Sequence, residues 1–302
     1  MLNALSVDVE ESFHASEIQS SIALSGSLTL PSRIERQTRK VLELLESHKA
    51  RATFFILGWV AEQVPALVRE IVHAGHEIGC HSYAHQLIYN LTPTEFEADT
   101  KRAVSAIENA CGIRPIIYRA PSYSITAQSL WALEILVQCG FTHDSSIYPV
   151  SHDRYGIPGF SRFPQSLTTP SGSIYEIPIA TAQLSATVVA PVGGGGYLRL
   201  LPYRYTAAGI RRINNIDLQP ACIYFHPWEL DPEQPQFPCG TLARIRTYSG
   251  LRGMGSKLAR LLTDFRFSSL MAVHGGPVVN SVGEHATLQR IPCSFQPEIC
   301  RE

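Results

Sequence analysis

The chain has 302 residues, enough for one large α/β domain, and 45% apolar against 17% charged residues excludes a disordered polymer. A formal net charge of -1 gives no electrostatic support to a nucleic-acid partner. The opening MLNALSVDVEESF lacks a basic n-region, and no stretch nears the ~20 apolar residues of a membrane span, so no transmembrane segment and a cytoplasmic location are expected. Seven scattered cysteines without a C-x-x-C pair suggest neither a disulfide framework nor a zinc knuckle.

Leu2 to Val9 reads as a buried strand. Arg33 to Ser47 has apolar residues at helical spacing, and Ala52 to Leu57 is a continuous apolar run, as a buried parallel strand requires. Pro65 opens a helix that ends at Gly75, and a short strand, His76 to Cys80, follows. Thr92-Pro93-Thr94-Glu95 is a capping box for a helix stopping at Gly112. Ile116 to Tyr118 is the next strand, Thr126 is expected to cap a helix to Gly140, and Phe141 to Asp144 is again a strand. Beyond Ser145 the rhythm loosens, with strand-like Ile174 to Ile179, a glycine run from Gly193 to Gly196, a helix from Tyr205 to Asn214 and a strand from Ala221 to His226. The run lacks the context of a nucleotide loop and reads as a turn or close backbone approach. Thr241 to Phe265 is basic and partly helical. Alternating β and α elements predict a parallel sheet. Residues 1–270 read as one domain, and 271–302 as a tail in which order is not expected.

Asp8 and Glu10, His81, Arg119, Asp144 and His226 all stand at strand ends in this reading. Carboxyl ends of parallel strands share one rim, where active sites are built. The H-x-x-x-H pair His81 and His85 can hold one metal ion if the stretch is helical. Asp8 and Glu10 alternate on a strand and face one way, so one can bind metal while the other serves as base. Arg119 can orient the base. His226, at a buried strand end beside Pro227 and Trp228, suits a general acid. Taken singly, each has a plainer explanation: surface histidines, solvated carboxylates, an Arg before a turn, a core histidine with a satisfied hydrogen bond.

The ordered motifs DVEES, RATFFILGW, GHEIGCHSYAH, YRAPSYS, DSSIYP and FHPWE together resemble the NodB-type polysaccharide deacetylases, in particular the branch accompanying exosortase-linked exopolysaccharide loci, from about Asn3 to Phe267. The resemblance implies a distorted (β/α) barrel of about seven parallel strands. It implies attack of a metal-held water on an acetamide of an N-acetylated glycan. By it, Asp8 is the base, Arg119 its partner, and Glu10, His81 and His85 ligands of a divalent ion, zinc first and cobalt second. Ser122 gives the oxyanion its backbone N–H, with Tyr123 and Trp228 beside the substrate. His226 is the acid and Asp144 the group that tunes it. His14 is a further substrate-contact candidate, and Tyr155 and Tyr197 can stack on sugar faces. Two positions depart from the family pattern: Val9 separates the acidic pair, whose second member is Glu, and Ser122 stands where an aromatic is common. A metal-free hydrolase resembling the allantoinase-type relatives and a non-catalytic carbohydrate-binding descendant are the alternatives.

Overall fold

The computed structural model describes residues 1–14, 32–185 and 188–275, with the backbone of 286–287. Most of the tail from residue 271 therefore lies outside the described residues. The chain builds one curled sheet whose path begins β10 (Cys222–Phe225), β1 (Leu2–Val9), β2 (Thr53–Ile56), β3 (Glu77–Cys80), β4 (Ile117–Tyr118), β5 (His143–Asp144), β7 (Gly172–Glu176). Every neighbouring pair along this stretch is parallel. Beyond it, β6 (Gln165–Thr169) pairs antiparallel with β7, and β11 (Arg266–Ser268) joins the start of β1. The result is a half-barrel with helices, the expected architecture, but with a mixed edge. A separate hairpin joins β8 (Thr181–Gln183) and β9 (Val189–Pro191).

The central strands are buried on both faces: β2 is buried throughout, and β1 from Asn3 onward. That is why their apolar runs do not alternate. Outer helices cover the sheet with single apolar stripes. Helix Ile34–Ser47 buries Ile34, Val41 and Leu45, and helix Pro65–His73 buries Leu67, Val68 and Ile71. Each such side chain contributes about 1.5–3 kcal/mol of burial. Helix Pro93–Cys111 begins in the expected capping box and ends at Gly112, whose φ of 74° suits glycine.

Two local expectations fail. Thr126 caps no helix; its N–H is bound by Ser129 Oγ in a turn, and the helix starts at Trp131. The stretch from His81 to His85 is not helical, because Ser82 and His85 take φ of 66° and 56°. No helix among the described residues is long and apolar enough to cross a membrane.

Candidate active site

The carboxyl ends of four strands meet around a cavity of about 380 Å³ lined by Asp8, Glu10, His81, His85, His226 and Trp228, among others. Asp8 ends β1, and Glu10 follows with its N–H on the Asp8 carbonyl at 3.1 Å, so both carboxylates face the cavity. His81 follows β3, Arg119 follows β4 and His226 follows β10.

Glu10, His81 and His85 place one ligand-type atom each within 4.8 Å of one another, and all three are buried. His81 Nδ1 lies 2.8 Å from the Arg119 carbonyl, which can only accept, so the proton sits on Nδ1 and the Nε2 lone pair faces Glu10. Glu10 Oε2 is 2.6 Å from His85 Nε2 and 3.8 Å from His81 Nε2. Among the described residues, Glu10 Oε2 and His81 Nε2 are buried without a well-formed hydrogen bond. Two imidazole nitrogens and a carboxylate oxygen aimed at one point fit a divalent cation.

The turn that delivers His85 depends on a residue the sequence reading passed over. Asp99, on helix Pro93–Cys111, accepts the N–H groups of Tyr83 at 2.8 Å and Ala84 at 3.2 Å. Ser82 Oγ accepts the His85 N–H at 3.1 Å. These bonds hold two residues in the left-handed region, at a cost of about 1–3 kcal/mol each. The imidazoles thus meet through a pinned turn instead of a helical face.

Arg119 is fully buried and donates through Nη1 to Asp8 Oδ1 at 2.8 Å and to Ser6 Oγ at 2.6 Å. Its Nε and Nη2 donate to the Ser145 carbonyl and hydroxyl at 3.1 and 2.8 Å. His226 Nε2 lies 4.0 Å from Asp8 Oδ2 and 3.6 Å from Glu10 Oε1. Burial alone would lower the His226 imidazole, but Glu10, Glu229 and Asp8 together push it up to about 9. Trp228 stacks on His226 with ring centroids 5.1 Å apart, and its Nε1 donates to Glu10 Oε1 at 3.2 Å. It therefore orients site groups as well as lining the cavity. Ser122 and Tyr123, at φ 51° and 55°, also line it. So do Tyr155 and Tyr197, whose hydroxyls are 3.4 Å apart. His14 packs near His85 with ring centroids 5.9 Å apart and accepts the Glu11 N–H.

Asp144 sits elsewhere. It is buried beside Glu176, its register partner on β7, and Ser146 Oγ donates to its Oδ1 at 2.5 Å. The carboxylate against His226 Nδ1 is instead Glu229, at 3.3 Å. Glu229 carried only a local signal: it lies three residues after His226 at the start of a short helix, and its Oε2 accepts the His226 backbone N–H. Its own partner, Arg199, carried no sequence signal.

The Asp144–Glu176 pair makes a prediction about stability. Burial and then the Asp144 charge push the Glu176 carboxyl well above its ordinary range, and burial raises Asp144 too. A carboxyl raised by folding contributes its full stability below the ordinary glutamate value and loses it as pH rises toward the folded value. Glu176→Gln keeps an acceptor for the Ile147 N–H, now 2.9 Å away, and a donor toward Asp144, with no proton to lose. It is expected to match the wild type at about pH 4 and exceed it by on the order of 1 kcal/mol at about pH 8. Urea unfolding at both pH values checks this; identical pH dependence in the two proteins would rule out a raised Glu176 carboxyl.

Fold and site together define an α/β half-barrel protein with a pocket arranged for a divalent cation. A polysaccharide deacetylase domain profile matches residues 27–143, and a domain of unknown function (DUF3473) matches 145–274. Residues 27–143 thus carry a polysaccharide deacetylase domain, in keeping with the resemblance of the ordered motifs. It is 34% identical over 98 residues to a peptidoglycan-N-acetylglucosamine deacetylase of Bacillus cereus, covering 32% of this chain and 36% of that protein. It is 35% identical over 96 residues to a chitooligosaccharide deacetylase of Bradyrhizobium sp., covering 32% of this chain and 43% of that protein. The chain thus spans less than half the length of either relative. A solved structure from Mycobacterium smegmatis, described as a polysaccharide deacetylase, shares the fold with a TM-score of 0.59 at 19% identity, over 89% of this chain and 87% of that one.

Proposed function

We propose that the protein removes acetyl groups from N-acetylated sugars of a polysaccharide or its lipid-linked precursor. The observation that carries the reading is the meeting of Asp8, Glu10, His81, His85 and His226 in one cavity. Glu10, His81 and His85 would hold a divalent ion; zinc fits two imidazoles and a carboxylate best, and cobalt fits the same set. When bound, the ion supplies Lewis acidity toward the acetyl oxygen and a water. Asp8, oriented by Arg119, takes the proton from the attacking water. The Ser122 N–H faces the developing oxyanion. His226 gives a proton to the departing nitrogen as the carbon–nitrogen bond breaks. Tyr123, Tyr155, Tyr197 and Trp228 offer aromatic surface to sugar rings. The names of the two relatives support N-acetylglucosamine oligomers as first substrates.

The test measures metal content and acetate release together, on N-acetylglucosamine oligomers, before and after chelation. Acetate release is expected to vanish with the metal and return with Zn²⁺ or Co²⁺. His81→Ala should lose both metal and activity. Acetate release unaffected by a chelator, from protein without metal, would refute the ligand set and point to the metal-free alternative.

A further inference from the structure

Behind His226 lie three features of residues 145–274, the segment that matches a domain of unknown function. The first is Arg199, 2% exposed, on the short helix Gly195–Leu200. A guanidinium is tolerated at that depth only when its donors are met. Its Nε donates to Glu229 Oε1 at 3.1 Å, and its Nη1 and Nη2 donate to the carbonyls of Ser249 and Arg246. Lys257 Nζ closes the end of the same helix on the carbonyls of Leu198, Arg199 and Leu201 at 3.0, 2.9 and 2.7 Å.

The second is Glu229, 1% exposed. Its Oε2 accepts the His226 backbone N–H at 3.0 Å and faces His226 Nδ1 at 3.3 Å. A carboxylate accepts only, so this contact requires the imidazole proton on Nδ1 and leaves Nε2 turned toward Asp8 and Glu10.

The third is the glycine run. A Cβ on Gly195 would stand 2.0 Å from Glu229 Oε2 and 2.8 Å from its Cδ. A Cβ on Gly193 would stand 2.5 Å from the Cys222 carbonyl of β10, the strand that delivers His226. Gly195 lets this backbone run directly beneath the carboxylate, and Gly193 lets it pass close to β10.

We infer that this segment supplies the acid half of the active site: Glu229, held by Arg199 over the floor of Gly193–Gly195, is a positioning residue that fixes the orientation and tautomer of His226. In the step it serves, the His226 Nε2–H bond breaks as the N–H bond of the departing amine forms. The electron pair of the broken carbon–nitrogen bond stays on that nitrogen, and His226 is left neutral with its proton on Nδ1. The role in turnover rests on the deacetylation reading; the imidazole geometry does not.

The experiment is therefore done in two arms. In the first, imidazole ¹⁵N spectra of the histidine-labelled protein, with His226 assigned by its loss in His226→Gln, report the tautomer without turnover. The neutral imidazole of the wild type is expected to carry its proton on Nδ1. Glu229→Gln removes the negative charge that favours a proton on Nδ1, and the neutral imidazole is expected to move its proton to Nε2, which faces Asp8 and Glu10. Gly195→Ala, which keeps every charge but displaces the carboxylate, is expected to lose the wild-type Nδ1–H signal and covers the case in which Glu229→Gln does not fold. In the second arm, both variants are expected to lower kcat on N-acetylglucosamine oligomers by at least about tenfold, with KM within about twofold and metal content kept. A wild-type tautomer in both variants, or kcat unchanged in both, overturns the inference. If the wild type releases no acetate, the deacetylation reading fails, and the spectra alone decide the positioning role.

Discussion

Asp8→Asn is expected to lower acetate release by about 10²–10⁴-fold, the usual contribution of a positioned general base. Metal content should stay near that of wild type, because the atoms proposed to hold the ion belong to Glu10, His81 and His85. The fold should survive as well. An Asn oxygen at the Asp8 Oδ1 position can still accept from Arg119 Nη1, now 2.8 Å away. The loss should fall on kcat, since the amide occupies the same volume but takes no proton. Turnover within about tenfold of wild type would remove Asp8 as base and leave that role to another cavity carboxylate.

The largest stability loss is expected at Arg119. Arg119→Met leaves the Asp8 carboxylate, 2% exposed, without its cation, and strips donors from Ser6 and Ser145. Removing one partner of such a buried pair costs about 3–5 kcal/mol. Packing adds to the loss, since the guanidinium sits 4.1 Å from the centre of the Phe55 ring. Lysine should rescue only in part: a point charge cannot reach Asp8 and both Ser145 groups at once. Pairing Arg119→Met with Asp8→Asn should cost clearly less than the sum of the two, because the second change removes the stranded charge. Urea unfolding of the four proteins checks this. A cost under about 1 kcal/mol for Arg119→Met, or strict additivity, would show that the pair is not the hinge of the site's electrostatics.

Half of the site lay open in the linear chain, and for a definable reason. An apolar run buried on both faces reads as a parallel strand, and the polar residue just past it falls on a shared rim. Asp8, His81, Arg119 and His226 were found in that way, and all four meet in space. The tuning carboxylate was assigned to Asp144 on the same logic and by family resemblance. There the logic stops, because a strand end places a residue at the rim without saying which way its side chain turns. Asp144 turns toward Glu176 on the neighbouring strand, and His226 takes its carboxylate from three residues further along its own chain.

By itself the sequence determined the order of the five strands from β1 to β5, the capping box at Thr92 and the rim on which the candidate site stands. These follow from local periodicity, local hydrogen bonding and the one-way run of a parallel sheet. Only the tertiary structure decided the partners. Strand register set Asp144 against Glu176, a neighbouring helix lent Asp99 to the turn between His81 and His85, and a glycine backbone opened room for Glu229 beside Arg199. Each of these contacts joins separate elements, and what selects it is the requirement that every buried charge and polar group find a partner once water has gone.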